Sequence, residues 1–458
     1  MLKKYKNKKI LIVGFEVEGK ATFDFLKQNG IVADIADRLS EDDFHKRNTE
    51  LKGSDINIIL GDKYLDNISD YDIVFRTPGL SPLNEKLVEA RGKGTDIKSQ
   101  IKLFMELCPC QIIGVTGTKG KGTTSSLIYE ILKGSRRDVY LGGNIGVPAI
   151  SFIDQLSQDS IVVLELSSFQ LMDLEKSPNV GVVLGITSEH LDYHKDRNEY
   201  VEAKQSIVQY QGVDDFAVVN IDYETSRSFK DITKAQTFEI STAHEVEMGC
   251  YVNKNDDIIL SSGGKEEKIA SFDELQLRGK HNLENVCAAV SAAYLTGADL
   301  DAIRKGVKSF KGLEHRLEFV AEVKGVKYYN DSFATTPETT IAAVKAFHES
   351  IILIAGGSEK GSDYTEMGKA IAGKVKTVFL IGNTAGEIKE KILVVNPNAD
   401  IQEGFTDMDE LMQRVKGAAK EGDVVILSPG CASFGLFENY KQRGELFKKA
   451  VRNIAQLI

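Results

Sequence analysis

The chain has 458 residues, 42% hydrophobic and 27% charged, with a formal net charge of -10. At ~100–200 residues per domain, this length predicts two to four domains. The acidic balance excludes a broad nucleic-acid or anionic-membrane surface, both of which want a basic face. No apolar run reaches the ~20 residues of a bilayer span. The five cysteines are an odd and mostly scattered set, as expected of a reduced cytoplasmic protein. Cys108-Pro109-Cys110 is a close pair, but it lacks the second pair or histidine run of a zinc site.

Met1–Lys9 is basic and Ile10–Val13 apolar, but Gly14 and Glu16 end that run. A buried first strand is therefore expected rather than a leader. Strand candidates follow at Ile31–Ala36, Ile56–Leu60 and Ile73–Arg76, with a helical pattern over Gly19–Asn29. Strand, helix, strand at this spacing predicts a parallel sheet over residues 1–105. A second α/β unit is expected over 106–311, with strands at 112–115, 161–166, 180–186 and 216–219. Residues 236–278 have more β character, with a turn at Asp256-Asp257, and His281–Ala293 reads as a helix. A third unit, 312–458, has strands at 326–330, 351–355, 378–381 and 424–427 and reads as another open parallel sheet.

The clearest motif is Gly117-Thr118-Lys119-Gly120-Lys121-Gly122-Thr123-Thr124. An apolar strand precedes it, and Leu127, Ile128, Ile131 and Leu132 give a helical face after it. Glycines let backbone N–H groups approach phosphate oxygens, and a helix N-terminus favours an anion. Lys121 adds a full positive charge, so the loop is expected to bind ATP. The strict Walker spacing is not met. Val115 stands where its first glycine belongs, and Gly122 follows the lysine where a hydroxyl normally ligates magnesium.

Glu165 ends the apolar strand Ile161–Leu164. A buried carboxylate needs a partner, and magnesium beside ATP is one candidate, a salt bridge another. Thr187–His194 follows the next strand and offers His190 and Glu189 at the same sheet edge. Lys204 lies on a helix and, on residue pattern alone, is an exposed lysine. Gly14-Phe15-Glu16-Val17-Glu18-Gly19 resembles a dinucleotide-binding turn with Asp37 as its distal acid, but Glu16 replaces the second glycine. That disfavours NAD and leaves a nucleotide's base or sugar edge, or no ligand at all.

Nine segments in order resemble the Mur ligase family of ATP-dependent amide-forming ligases. They include T-G-T-K-G-K-G-T-T (116–124), G-N-I-G (143–146), E-L-S-S-F-Q-L (165–171), G-K-H-N-L-E-N (279–285), G-L-E-H-R-L-E (312–318), N-D-S (330–332) and L-S-P-G-C-A-S-F (427–434). The resemblance is closest to members that add D-glutamate to UDP-N-acetylmuramoyl-L-alanine through an acyl phosphate, in peptidoglycan precursor synthesis. It implies a Rossmann-like domain over 1–105 for the UDP-sugar, a P-loop domain over 106–311 for ATP, and a Rossmann-like domain over 312–458 for the amino acid. Val17, Glu18, Asp37, Arg38, Thr77, Asn144, Ser167, Ser433 and Tyr440 then fall at substrate positions. Gly117, Thr118, Lys119, Gly120, Lys121, Gly122, Thr123, Asn285, Arg316 and Asp331 fall at ATP positions. Thr123, Glu165, His190 and a carbamylated Lys204 fall at magnesium positions, and Lys360 joins Lys121, Glu165, His190 and Lys204 as a catalytic group. A cytoplasmic monomer with no nucleic-acid partner and no membrane insertion is implied. Phe333 stands where the family pattern commonly has lysine, and Gly122 and Glu16 also depart from it. A nucleotide-binding scaffold without turnover and a folate–glutamate ligase are the competing readings.

Overall fold

The computed structural model describes residues 2–187, 194–277, 279–280, 282–358, 361–405 and 407–456. They fall into two compact units. One comprises residues 1–274 and 283–308, the other 275–282 and 309–458.

The first unit contains two sheets. In one, β1 (Ile10–Val13), β2 (Asp34–Asp37), β3 (Ile58–Leu60), β4 (Ile73–Arg76) and β5 (Asp96–Ser99) run parallel in the order β3-β2-β1-β4-β5. The order reverses between β1 and β4, where open α/β sheets leave a crevice beyond the strand ends. Gly14 and Thr77 lie at that edge. The other sheet comprises β6 (Gln111–Thr116), β7 (Val139–Gly143), β8 (Ile161–Glu165), β9 (Val180–Val183), β10 (Phe216–Asn220), β11 (Gln236–Ser241), β12 (Gly249–Val252), β13 (Asp257–Ser262) and β14 (Lys265–Ser271). Its order is β14-β13-β12-β11-β10-β9-β6-β8-β7. β6 sits between β8 and β9, and all three are buried nearly throughout. Helices cover both faces of such a sheet, which is why these strands read as unbroken apolar runs. The last three strands form an antiparallel meander. Asp256 makes the turn into β13 with φ 57°, as the sequence predicts.

The second unit holds β15 (Glu318–Val323), β16 (Val326–Asn330), β17 (Ser350–Gly357), β18 (Val375–Gly382), β19 (Asp400–Gln402) and β20 (Asp423–Leu427) in the order β15-β16-β20-β17-β18-β19. The expectation of a wholly parallel sheet here is corrected: β15 pairs antiparallel with β16. β15 is half-exposed along its length, so an edge position hid it from a search for apolar runs. β5 and β7, also at sheet edges, show no long apolar run either, although β5 is mostly buried. Their residues Asp96-Ile97-Lys98-Ser99 and Val139-Tyr140-Leu141-Gly142-Gly143 carry little apolar pattern.

Arg76, fully buried at the end of β4, ties the first sheet to the segment after β8. Its guanidinium meets Asp173 Oδ2 at 3.1 Å and donates to the carbonyls of Leu80 and Phe169, both at 3.1 Å. Ser99 donates to the other Asp173 oxygen at 3.1 Å. The Asp173 side chain is 8% exposed. Removing one partner of a buried pair leaves the other charge uncompensated, at a cost of about 3–5 kcal/mol. Asp173→Ala should therefore lower the thermal midpoint of the first unit by several degrees. Arg76→Met together with Asp173→Leu should lose much less, because it leaves no orphaned charge. Differential scanning calorimetry of both variants checks this.

Candidate functional site

β6 delivers the chain to Gly117, and the helix Lys121–Gly134 departs from it. Gly120 is the turning residue. Its φ of 86° is left-handed, and a Cβ there would lie 2.1 Å from Asn285 Oδ1. Only glycine satisfies both constraints. Asn285 Oδ1 in turn accepts from Thr124 Oγ1 at 3.2 Å, which braces the first turn of the helix. Two predicted ATP residues, Gly120 and Asn285, are thus brought together across a long stretch of sequence.

The loop's lysines take different places. Lys119 is exposed. Lys121 folds back, and its Nζ donates to the carbonyls of Thr118 at 3.0 Å and Gly117 at 3.1 Å. Thr118 is buried. It accepts from Thr187 N at 2.9 Å and shares a 3.0 Å hydrogen bond with Tyr200 OH. Gly122 and Thr123 are buried in the first helical turn.

Lys204 overturns the reading from residue pattern. It is 1% exposed, not solvated. It lies on the helix Arg197–Gln205. Its Nζ donates to Gly117 O at 3.1 Å and Thr116 Oγ1 at 3.4 Å, and sits 4.6 Å from the Tyr200 ring centre. Lys121 and Lys204 therefore converge on one carbonyl.

Glu165 closes β8, 5% exposed. Gly143 makes room for it with φ 96°, since a Cβ there would lie 2.3 Å from Glu165 O. The next residue, Asn144, donates its backbone N–H to Glu165 O and its side-chain amide to Glu165 Oε1, both at 2.9 Å. Among the described residues no cation lies within ion-pair distance of this carboxylate. The salt-bridge alternative for Glu165 thus finds no partner there. Ser167 caps the next short helix in a reciprocal box with Gln170. His190 and Lys360 lie outside the described residues.

His194 is a buried group that the sequence reading named only as the end of a stretch. Nδ1 meets Glu199 Oε1 at 3.1 Å, Nε2 meets Ser168 Oγ at 2.9 Å, and the ring stacks on Phe169. The available signal was a histidine closing a loop one turn before a helix that carries a glutamate.

At the edge of the first sheet, Asp37 is committed to the backbone. Oδ2 accepts from Phe15 N at 2.8 Å and Oδ1 from Leu39 N at 3.0 Å. Glu18 accepts from Gln170 Nε2 at 2.8 Å, while its buried Oε2 takes no hydrogen bond. Burial raises its carboxyl above the ordinary range, partly offset by Gln170 and Arg76. Val17 and Arg38 are exposed and Thr77 half-buried at the same edge.

In the second unit, Asp331 follows β16 and is buried. Oδ2 accepts from Ser428 Oγ at 2.7 Å and Oδ1 from Leu317 N at 3.1 Å. Arg316 lies 4.0 Å over the Phe333 ring, and Phe333 packs edge-on against Tyr440 at 5.0 Å. Ser433 is buried nearby in sequence, after β20. Arg443, fully buried, donates to the carbonyls of Ser332, Cys431 and Ala432 and so joins the two loops that carry Asp331 and Ser433.

Burial pushes the Asp331 carboxyl up to about 7, against the pull of Ser428, Leu317 N, Arg316 and Arg443. A carboxyl that holds its proton in the fold but releases it at about pH 4 when unfolded stabilises the fold at low pH. That contribution is lost as pH rises toward 7. Asp331→Asn should abolish it. Urea midpoints measured from pH 4 to 8 should show the wild type losing ground to the variant across this window. Parallel curves for the two proteins would show that Asp331 is ionised throughout.

Models of two families match the chain: the Mur ligase middle domain over residues 115–293 and the Mur ligase, glutamate ligase domain over 315–431. A UDP-N-acetylmuramoylalanine–D-glutamate ligase of Acetivibrio thermocellus is 41% identical over 99% of this chain and 98% of its own. One of Clostridium kluyveri is 38% identical over 98% and 97%. Among solved structures, the UDP-N-acetylmuramate-alanine ligase MurC of Thermotoga maritima aligns with a TM-score of 0.59 at 20% identity, over 98% of this chain and all of that one. The MurF ligase of the same organism, in complex with ADP, aligns at 0.58 and 18%, over 99% and 97%. Those two likenesses carry the α/β fold, and the matched domains with the full-length relatives place the chain in the Mur ligase family.

Proposed function

We propose that the chain joins D-glutamate to the carboxyl group of UDP-N-acetylmuramoyl-L-alanine, using ATP and releasing ADP and phosphate. The name shared by its full-length relatives supports this reading. The observation that carries it is the pair of lysines, Lys121 and Lys204, set on the carbonyl that opens a phosphate loop. We assign residues 1–105 to the UDP-sugar, 106–311 to ATP and 312–458 to the amino acid. The substrates are water-soluble, and the reaction is assigned to a monomer in the cytoplasm.

A substrate carboxylate oxygen attacks the γ-phosphorus, and ADP leaves. The amine of D-glutamate then attacks the acyl phosphate carbon, and phosphate departs as the amide forms. Negative charge accumulates at each step, so fixed positive groups and backbone donors are what the chemistry requires. In this assignment Lys121, Lys119 and the N–H groups of residues 117–123 hold the triphosphate, with Asn285 bracing the turn beneath it. Arg316 and Asp331 serve the nucleotide, Ser433, Tyr440 and Lys360 the amino acid. Val17, Glu18, Asp37, Arg38, Thr77, Asn144 and Ser167 serve the nucleotide sugar. Asp37 acts there through the turn it holds at Phe15 and Leu39.

Magnesium fits the donors present. Glu165 is a buried carboxylate whose one hydrogen-bond donor among the described residues is a neutral amide, and hard oxygen donors suit the ion. Glu165 would hold it with Thr123, His190 and Lys204 as a carbamate. When bound, the ion neutralises phosphate charge. Burying a lysine ammonium is costly, and a carbamate on Lys204 would replace that charge with an oxygen donor set.

Purified protein with UDP-N-acetylmuramoyl-L-alanine and ATP should release phosphate on addition of D-glutamate. Other amino acids, L-glutamate included, should be poor substitutes. Lys204→Ala should cost about 100-fold or more in kcat. It should also remove a carbamate carbon signal that 13C-bicarbonate adds to the wild-type NMR spectrum. Absence of substrate-dependent phosphate release with every amino acid tested would end the ligase assignment, and preference for L-glutamate would change its substrate.

A further inference from the structure

Neither thiol of Cys108-Pro109-Cys110 has a part in the ligase chemistry. Cys108 caps the end of the helix Gln100–Leu107, with φ -59° and ψ 122°. Cys110 directly precedes β6, the strand that leads to the phosphate loop. Pro109 between them is exposed, and both cysteines are half-buried. The two sulfurs stand 3.6 Å apart, in van der Waals contact. They must approach by about 1.5 Å to reach a disulfide bond length. Pro109 limits the backbone conformations of this turn and so keeps the thiols facing each other.

The other three cysteines are placed differently. Cys250, Cys287 and Cys431 are 0%, 0% and 2% exposed. Cys250 hydrogen-bonds Cys287, and burial pushes its thiol well above the ordinary range. Cys431 is held by Thr384 and Tyr364. Buried thiols of this kind are inert. Cys108 contrasts with them. The hydrogen bond it shares with the Cys110 thiol draws its own thiol down to about 7, with the Cys110 backbone and Lys176 adding to the effect against burial. At neutral pH a thiol near 7 supplies thiolate, the attacking species, while its partner keeps the proton.

We propose that Cys108 and Cys110 form a reversible redox site, in which Cys108 is the attacking thiol and Cys110 the resolving one. The oxidant is a low-molecular-weight disulfide. The Cys108 thiolate attacks one of its sulfurs, forming a mixed disulfide and expelling one small thiolate. Cys110 then gives up its proton and attacks Cys108 Sγ, expelling the second. The protein loses two electrons and two protons, and the small disulfide becomes two thiols. A link between residues two apart closes a small ring and belongs with the labile, easily reduced disulfides.

The test uses the full-length protein, oxidised glutathione, and maleimide alkylation after denaturation. Untreated protein should take up five maleimides, one for each cysteine. Treated protein should take up two fewer and be lighter by two hydrogens. Peptide mapping should place the link within the peptide holding Cys108 and Cys110, and dithiothreitol should restore all five sites. Cys110→Ser should trap glutathione on Cys108, whereas Cys108→Ser should react much more slowly. Five reactive thiols after treatment, or a link at Cys250–Cys287, would overturn the proposal. Faster capture of glutathione by Cys108→Ser than by Cys110→Ser would overturn the assigned roles.

Discussion

The first unit is organised around one backbone carbonyl, that of Gly117. β6 brings it to the sheet edge, and two side-chain amines donate to it from different helices. Both Nζ atoms lie within 3.1 Å of the same oxygen, so they are no more than about 6 Å apart. Two full positive charges at that separation repel by about 3 kcal/mol at an effective dielectric of ~20. A single neutral carbonyl offsets part of this. A phosphate bound in this loop, as proposed above, would offset more, because a helix N-terminus adds to the favourable field for an anion. Conversion of Lys204 to a carbamate would turn the repulsion into attraction toward Lys121. The geometry makes the loop's charge state depend on a residue some eighty positions away in sequence.

A buried arginine underlies each unit's loops. Arg76 and Arg443 are both almost without solvent contact. A guanidinium offers five donors in a fixed plane, so it can satisfy several loop carbonyls that no strand or helix serves. Arg76 does this for Leu80 and Phe169, with Asp173 supplying the counter-charge. Arg443 does it for Ser332, Cys431 and Ala432 with carbonyl acceptors. Burial with that weaker compensation holds the Arg443 guanidinium down at about 10. Both arginines fix loops whose residues the proposed reaction uses, at the cost of desolvating a charge.

What could be read from the sequence follows from burial. β1, β4, β6, β8, β9 and β20 lie inside sheets, and apolar runs mark them. β5, β7, β15 and β19 lie at sheet edges and are short, polar-rich or half-buried, so the pattern fades there. The phosphate loop was legible because its local context is contiguous: strand, glycines, helix. Lys204 was not, because nothing within Arg197–Gln205 tells which face of that helix packs on β6. A lysine pattern speaks for solvent, and tertiary packing reversed it. Asp37 was placed correctly at the end of β2, yet its carboxylate serves the turn's own N–H groups, and hydrogen-bond commitments are not written in residue type. The resemblance to the family supplied Lys204 and Asn285, which local pattern could not.

The departure at Phe333 changes the local chemistry less than the swap of residue type suggests. The ring lies under the Arg316 guanidinium at 4.0 Å and is itself held edge-on by Tyr440, which packs against His315. Phe333 N also donates to His315 O at 3.0 Å. A cation over an aromatic face gains about 0.5–1 kcal/mol when partly exposed. The aromatic side chain therefore restrains the position of a neighbouring cation instead of supplying one. Positive charge persists beside Asp331, carried by Arg316. A lysine at position 333 would set a second cation against Arg316 and lose the stacking surface. With Phe333 in place, Arg316 is the cation beside Asp331 and has an aromatic surface to rest on in place of a second positive charge.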